Sequence, residues 1–171
     1  SIMIGVPTHW RTGYHDAVSD PMLLEQVEKS DIVMPWFVGR YDETTYESFK
    51  SLIASDMIWA REHHIDYAPL CYPGFSWHNM HHPEKNLTEI PRNKGAFFKK
   101  QLDYCVDKGA QMLYIAMFDE IDEGTAIFKI ARKVPTPAPG SKFVPLEEGL
   151  DSDHYLRLVG DAARILKEKN R

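Results

Sequence analysis

The sequence predicts an α/β fold built from four consecutive βα units, which equals half of a (β/α)8 TIM barrel. Apolar runs of strand length alternate along the chain with amphipathic runs of helical length. The apolar runs are almost continuous, which is typical of parallel strands covered by helices. No Gly-rich phosphate loop follows any of these runs, and this disfavours an open dinucleotide-binding sheet.

The predicted strands and helices follow each other in strict alternation. The strands are predicted over 2–6, 31–38, 65–72 and 112–118, and the helices over 21–29, 43–63, 92–108 and 152–169. Ser19 and Asp20 precede Pro21, and Pro fits the first helical position because its missing N–H is not needed there. A complete barrel takes about 250 residues, so the 171 residues of this chain leave room for about half of one.

Composition indicates one globular domain, residues 1–171, with a substantial core. Apolar residues make up 43% of the chain and charged residues 26%. The net charge of −5 argues against a nucleic-acid-binding protein, which needs clustered Lys and Arg. No apolar run reaches the roughly 18 residues of a membrane span. Cys71 and Cys105 lie in apolar runs, which predicts two buried free thiols.

The loop after the fourth predicted strand carries four acids within five residues: Asp119, Glu120, Asp122 and Glu123. On a helical turn, Glu120 and Glu123 would lie on one face with Cβ atoms about 5–6 Å apart. When two carboxyl groups are this close, one tends to keep its proton while the other ionises. A glycosidase needs one carboxyl group of each kind. The protonated acid gives its proton to the leaving oxygen, and the ionised carboxylate acts as base or nucleophile. The spacing therefore predicts a catalytic acid pair.

Two other interpretations of the acidic loop remain open. The acids could be solvated, or paired with Arg40, Arg92 or a lysine. Their oxygens could also hold Ca²⁺ or Mg²⁺, although the spacing does not match the calcium-loop pattern. For zinc, the stretch His78-Asn79-Met80-His81-His82 offers three imidazoles, but it lacks the His-Glu-x-x-His motif.

The other three strand ends also carry side chains suited to a polar ligand. Barrel enzymes build their sites from the loops at the carboxyl ends of the strands, and Trp rings stack on flat ligand faces. The predicted substrate contacts are His9, Trp10, Arg11, Trp36, Arg40, Tyr72, Trp77, His78, Asn79, Asp119 and Asp122. Each alone is more often a packing residue, but four such groups at one end of four strands favour a binding site. A nucleophilic triad is not predicted, because Ser76 lacks the Gly-x-Ser-x-Gly elbow.

Several segments of the chain resemble a family of glycoside hydrolases. The segment "FDEIDEGTAI" resembles the Asn-Glu-Trp-His-Glu-Gly-Thr signature of glycoside hydrolase family 99, the endo-α-mannosidases. With "GVPTHWRT", "VMPWFVGRY", "PGFSWHN" and "SDHYLRL", the chain is similar to the bacterial family 71/99-like proteins often labelled xylosidase/arabinosidase. The resemblance spans essentially the whole chain.

This resemblance implies a fold and a mechanism. It implies a (β/α)8 barrel, of which this chain is the C-terminal half, and hydrolysis of an α-linked sugar with retention. By position, Glu120 corresponds to the base that deprotonates the sugar 2-hydroxyl. Glu123 corresponds to the acid/base that protonates the leaving oxygen and then activates water. The route passes through a 1,2-anhydro sugar, so no protein nucleophile, organic cofactor or metal is implied.

The chain departs from the family pattern in the signature and in length. Asp119, Ile121 and Asp122 stand where the signature has Asn, Trp and His, so the resemblance does not carry mannose specificity. The extra acids are expected to raise carboxyl pKa values. Because the family barrel needs about twice this chain, we expect a second chain or an N-terminal half to complete it. Otherwise the barrel interior and the sheet edges would be exposed.

The sequence therefore predicts a glycosidase that cleaves an α-linked polysaccharide or oligosaccharide through Glu120 and Glu123, and that is inactive without the missing half. The first alternative is a non-catalytic carbohydrate-binding barrel, in which the acids only hydrogen-bond to hydroxyls. The second is a metal-dependent hydrolase that uses the acid cluster and the region of His81 and His82. A secreted or periplasmic location is expected from the substrate class, because polysaccharides lie outside the cell.

Overall fold

The two sheets of the structure, a computed structural model, consist of parallel strand pairs, as the alternating pattern predicts. Residues 1–80, 86–135 and 139–169 are described. Among them, the strands are β1 (Met3–Val6), β2 (Ile32–Pro35), β3 (Asp66–Tyr67), β4 (Leu70–Cys71) and β5 (Tyr114–Ile115). The helices are α1 (Pro21–Val27), α2 (Tyr46–Glu62), α3 (Ala96–Asp107) and α4 (His154–Lys169), with a short 3-10 turn at Asn93–Gly95 before α3.

The strand order is β1-β2-β3 in one sheet and β4-β5 in the other. One extended segment connects the sheets, because only Ala68 and Pro69 separate β3 from β4. Ala68 donates its N–H to the Val33 carbonyl oxygen at 3.0 Å, and the Pro69 carbonyl oxygen accepts from the Tyr114 N–H at 3.0 Å. Ala68 thus faces β2 and Pro69 faces β5, so the hydrogen bonding passes from one neighbour to the other at these two residues. The strand predicted over 65–72 is thus one segment that pairs with a different neighbour along each half.

Three helices begin later than predicted, and local hydrogen bonds explain one of these shifts. Asp42 accepts from the N–H groups of Thr44 and Thr45 at 2.9 and 2.8 Å. This Asx turn competes with helix formation, so α2 begins at Tyr46 instead of 43. By contrast, α1 begins as predicted, because Asp20 accepts from the Met22 N–H at 2.9 Å and Pro21 occupies the first position.

A cluster of aromatic rings fills the core beneath the ends of β2 and β4. The Gln101 amide, fully buried on α3, ties the cluster together: its oxygen accepts from the Tyr41 hydroxyl at 3.2 Å, and its nitrogen donates to the Tyr72 carbonyl oxygen at 2.8 Å. Cys71 and Cys105 are buried and free, as predicted, with Sγ atoms 3.9 Å apart. Within the described residues, no helix combines the length and apolarity needed to cross a membrane.

Candidate active site

The loops that follow β1, β2, β4 and β5 contact one another in chain order. Because the strand pairs are parallel, these loops leave the two sheets at the same end. Three hydrogen bonds link neighbouring loops: the Thr8 hydroxyl donates to the Trp36 carbonyl oxygen at 2.8 Å, the Tyr72 hydroxyl donates to the Tyr41 carbonyl oxygen, and the Ser76 N–H donates to the Glu123 carbonyl oxygen at 2.8 Å.

The acidic loop after β5 is a tight turn that returns on itself. The Ala126 N–H donates to the Glu120 carbonyl oxygen at 2.8 Å, and the Gly124 N–H donates to the Ile121 carbonyl oxygen at 3.2 Å. Gly124 has a φ of 66°, and a Cβ at this position would lie 2.7 Å from Val144 Cγ2. Both facts require glycine directly after the second glutamate. The turn places Glu120 and Glu123 at its two ends.

The electrostatics of the acidic loop distinguish Glu123 from its neighbours. Glu120 and Glu123 are half-buried, whereas Asp119 and Asp122 are exposed. Burial raises the pKa of Glu123, and the charges of Glu120 and Asp122 raise it further. Glu123 therefore keeps its proton to higher pH than a free glutamate does. A general acid that operates near neutral pH needs this property.

The structure gives no support to the ion-pair and metal-site interpretations of the acidic loop, although Asp119 and Asp122 are solvent-exposed. Within the described residues, none of its four acids forms an ion pair with Lys or Arg. Arg40 instead pairs with Asp16 at 3.4 Å, and Arg92 donates to the Gly124 carbonyl oxygen at 2.7 Å. In the same part of the chain, no group of three or more His, Cys, Asp or Glu side chains is arranged to hold a metal ion. The proposed ligands His81 and His82 lie outside the described residues.

Asn79 holds the acidic loop from the side of β4. Its amide nitrogen donates to the carbonyl oxygens of Asp122 and Lys142 at 3.1 and 2.8 Å, and its oxygen accepts from the Lys142 N–H at 2.9 Å. The amide of Asn79 thus fixes the backbone next to Glu123.

Two other predicted contact residues, Trp77 and His78, lie in the same loop. The Trp77 ring is half-buried and packs edge-on against Phe75, with ring centroids 4.8 Å apart. His78 is only 5% exposed.

A second cluster, after β1, centres on an aspartate that the sequence analysis missed. Asp16 accepts from the N–H groups of Thr8 and His9 at 3.0 and 3.1 Å and lies 3.1 Å from His9 Nδ1. Arg40 reaches it from the loop after β2, and His15 lies beside His9 with ring centroids 4.5 Å apart. These residues line a cavity of about 620 Å³ with Ser48, Phe49 and Leu52 of α2. Most contacts of Asp16 are with Thr8 and His9 of its own loop, but no sequence motif marks this turn, and Arg40 joins it from a separate loop.

The hydrogen bonds to Asp16 predict a pH-dependent contribution to stability. Burial alone would raise the pKa of Asp16, but the hydrogen bonds from Thr8 and His9 lower it from 3.8 to about 2. Because the folded state binds this proton less tightly than the unfolded chain, the contribution is present above about pH 5 and is lost as the pH falls towards 2. We expect Asp16→Asn to lower the free energy of unfolding by about 2 kcal/mol at pH 7, measured by urea unfolding at several pH values. Asp161→Asn, which alters an exposed ion pair, is the control and should change little. A pH-independent loss in Asp16→Asn would contradict the assignment.

Three predicted contact residues are instead engaged in packing. The Trp10 indole N–H donates to Asp56 Oδ2 at 3.2 Å, and Arg11 Nε donates to Asp56 Oδ1 at 2.8 Å. Trp10 is only 6% exposed and packs edge-on against Trp59 of α2. Tyr72 is fully buried in the aromatic core. The structure thus buries Trp10 and Tyr72 and ties Arg11 to a buried carboxylate. Arg11 remains partly exposed, as His9 does, and Trp36 and Arg40 are exposed.

These features define a class of structure: a parallel α/β fold whose acid pair and polar loops lie at the carboxyl ends of the strands. No protein-family model and no curated protein sequence matches the chain. The solved structures that match in fold include two of the GH99 endo-α-mannosidase from Bacteroides thetaiotaomicron, one of them in complex with bis-tris-propane. Each superimposes with a TM-score of 0.68, at 19% and 20% sequence identity.

The matches cover 96% and 95% of this chain but only 50% and 53% of the solved chains. The chain therefore spans about half the length of the structures that it matches, and its fold is that of about half of each solved chain. The predicted resemblance to family 99 is confirmed at the level of the fold.

Proposed function

We propose that this chain is the C-terminal half of a (β/α)8 glycosidase barrel, with four βα units in one domain over residues 1–171. The proposed reaction is the hydrolysis of an α-linked polysaccharide or oligosaccharide with retention. One observation carries this proposal: the two ends of the turn after β5 hold half-buried Glu120 and Glu123, and the pKa of Glu123 is raised. The similarity in fold to an endo-α-mannosidase supports the same class of substrate.

The two glutamates divide the proposed chemistry. Glu120 takes the proton of the sugar 2-hydroxyl, and the resulting oxygen attacks the anomeric carbon to form a 1,2-anhydro sugar. At the same time, Glu123 gives its proton to the leaving oxygen as the glycosidic bond breaks. In the second step, Glu123 removes a proton from water, the water opens the anhydro ring, and Glu120 returns its proton to the 2-oxygen. Each carboxyl group ends in its starting state, so neither a protein nucleophile nor a cofactor is needed.

The accessible residues of the neighbouring loops supply the proposed sugar contacts. His9 and Arg40 line the cavity of about 620 Å³ and carry donors suited to hydroxyl groups. Trp36 is 37% exposed, so its ring can stack on the apolar face of a sugar. Asp119 and Asp122 are exposed beside the acid pair and can accept from hydroxyl groups. A secreted or periplasmic location follows from this substrate class alone.

The side of the fold at β1 supports a missing partner. Ile2 and Met3 are large apolar residues at this edge strand, with exposed fractions of 67% and 44%. Met22 and Leu23 of α1, the helix that follows β1, are 63% and 46% exposed. An exposed apolar edge strand favours pairing with another chain segment. We propose that a preceding half-barrel, or a second chain, covers this edge and completes the site.

Release of reducing sugar from a panel of α-mannans, xylans and arabinans tests the proposal. The assay uses the chain by itself and the chain within a polypeptide that also carries the preceding half-barrel. We expect release only when both halves are present, and the polysaccharide that reacts identifies the substrate class. If no polysaccharide is cleaved but one binds, the chain is a non-catalytic carbohydrate-binding barrel. If none is cleaved and none binds, the carbohydrate assignment fails.

A further inference from the structure

A small apolar cavity lies behind the acidic loop, apart from the proposed sugar contacts. Its volume is about 200 Å³, and Ile121 and Gly124 of the acidic loop form part of its wall. The rest of the wall is mostly apolar and includes Ala126, Phe128, Ile130, Val134, Phe143 and Val144. The exposed Lys129 also lines the cavity. Within the described part of the chain, no Asp or Glu lines this cavity.

One charged side chain in the cavity wall is almost completely buried. Arg92, just before α3, is 4% exposed, and its guanidinium carbon lies 4.8 Å from the centroid of the Tyr155 ring. Its Nη2 donates to the Gly124 carbonyl oxygen at 2.7 Å. Among the described residues, Nε and Nη1 have no hydrogen-bond acceptor.

The carboxylate whose charge acts on Arg92 is engaged elsewhere. Glu147 accepts from the Tyr155 hydroxyl at 2.6 Å and from the Lys94 N–H at 2.7 Å. Arg92 therefore remains a buried cation without a direct carboxylate partner in the described chain. A buried charge of this kind is costly unless a counter-charge with hydrogen-bonding capacity meets it.

We infer that this cavity binds a small monocarboxylate with an apolar body, whose carboxylate pairs with Arg92. Charge complementarity favours an anion, because a guanidinium forms its strongest hydrogen bonds with carboxylate and phosphate groups. The apolar wall favours a ligand with little other polarity. The size also fits, since an engineered apolar cavity of about 150 Å³ holds benzene. The site does not depend on the proposed hydrolysis, although a bound ligand would contact the wall that Ile121 and Gly124 share with the acidic loop.

Benzoate is a suitable probe, and benzamide, which has the same shape without the charge, is its matched control. We expect calorimetric titration of the chain to show one benzoate site, with benzamide bound at least about tenfold more weakly because it lacks the charge-assisted hydrogen bonds. Benzoate should also raise the melting temperature, since it binds only the folded state.

Two variants locate the site. Ala126→Leu fills the cavity and leaves Arg92 in place, and it should weaken benzoate binding by about tenfold or more. Arg92→Gln should weaken it similarly, whereas Arg164→Gln, which changes an exposed arginine of α4, should not. If Arg92→Gln does not fold, the comparison of benzoate with benzamide and the Ala126→Leu variant still test the proposed site. Equal binding of benzoate and benzamide, unchanged binding in Ala126→Leu, or no binding at all would overturn the inference.

Discussion

Glu123→Gln is expected to lower the rate of glycoside hydrolysis by about 10²–10⁴-fold, the usual contribution of a general acid–base group. Glutamine keeps the shape of the side chain but carries no acidic proton, so it cannot protonate the leaving oxygen or activate water. Substrate binding should be nearly unchanged, because the side-chain volume and the backbone of the turn are retained. The loss should therefore appear in kcat and not in the dissociation constant of the substrate.

The measurement compares the variant with wild type in the polypeptide that carries both barrel halves, using the polysaccharide that the panel identifies. Glu148→Gln is the matched control, because it removes the same charge from an exposed position elsewhere in the long loop before α4. An aryl glycoside with a good leaving group gives a second test. Such a substrate needs little protonation of its leaving oxygen, so the effect of Glu123→Gln on bond cleavage should shrink. Full activity of Glu123→Gln on the polysaccharide would show that Glu123 is not the acid.

Features encoded locally could be predicted from the sequence. The Pro21 helix start needs only adjacent residues, and the structure has it as predicted. The position of the acidic loop follows from the apolar run before it, and the structure places β5 within that run. The parallel pairing follows from the alternation of apolar and amphipathic runs, because a parallel neighbour needs a crossover connection.

Features that depend on distant partners could not be predicted. Trp10 and Arg11 lie at a strand end and suit a sugar, but Asp56 of α2 draws both side chains inward. The local sequence of Trp10 does not contain this partner. Asp16 could not be predicted either, because no motif marks the turn that brings it to Thr8 and His9, and its ion pair with Arg40 joins two separate loops. Side-chain direction at a strand end is therefore decided by tertiary contacts, which a single sequence does not specify.

The lengths of the strands also depend on distant partners, in this case on backbone pairing with another segment. Apolar runs of strand composition predicted 31–38 and 112–118, but ladder pairing covers only Ile32–Pro35 and Tyr114–Ile115. A strand ends where its neighbour stops offering partners, and in this chain the pairing passes from β2 to β5 at Ala68 and Pro69. Apolar composition indicates which residues can be buried. The length of a strand is set by how many backbone hydrogen bonds it forms with a neighbouring segment.

Asp56→Ala is expected to lower the free energy of unfolding by about 3 kcal/mol, a large effect for one side chain. Asp56 is fully buried, and it is the only described acceptor in the structure for both the Trp10 indole N–H and Arg11 Nε. Alanine would leave a buried N–H without an acceptor and a guanidinium without its counter-charge. Since these two residues anchor the loop after β1 to α2, the loop would also lose its attachment. Urea unfolding at constant pH measures the loss.

The pH dependence of stability distinguishes the loss of the Asp56 carboxyl group from a simple loss of packing. Burial raises the pKa of Asp56 from 3.8 to about 6, against the opposing hydrogen bonds from Arg11 and Trp10. Between these values the folded state holds more protons than the unfolded chain, so wild-type stability falls as the pH rises from about 4 to about 6. Asp56→Asn cannot ionise and lacks this fall, so its deficit relative to wild type should narrow over that range. Glu62→Ala, at the exposed end of the same helix, should stay within about 0.5 kcal/mol of wild type. A deficit in Asp56→Asn that is constant across this range would show that Asp56 does not titrate with a raised pKa.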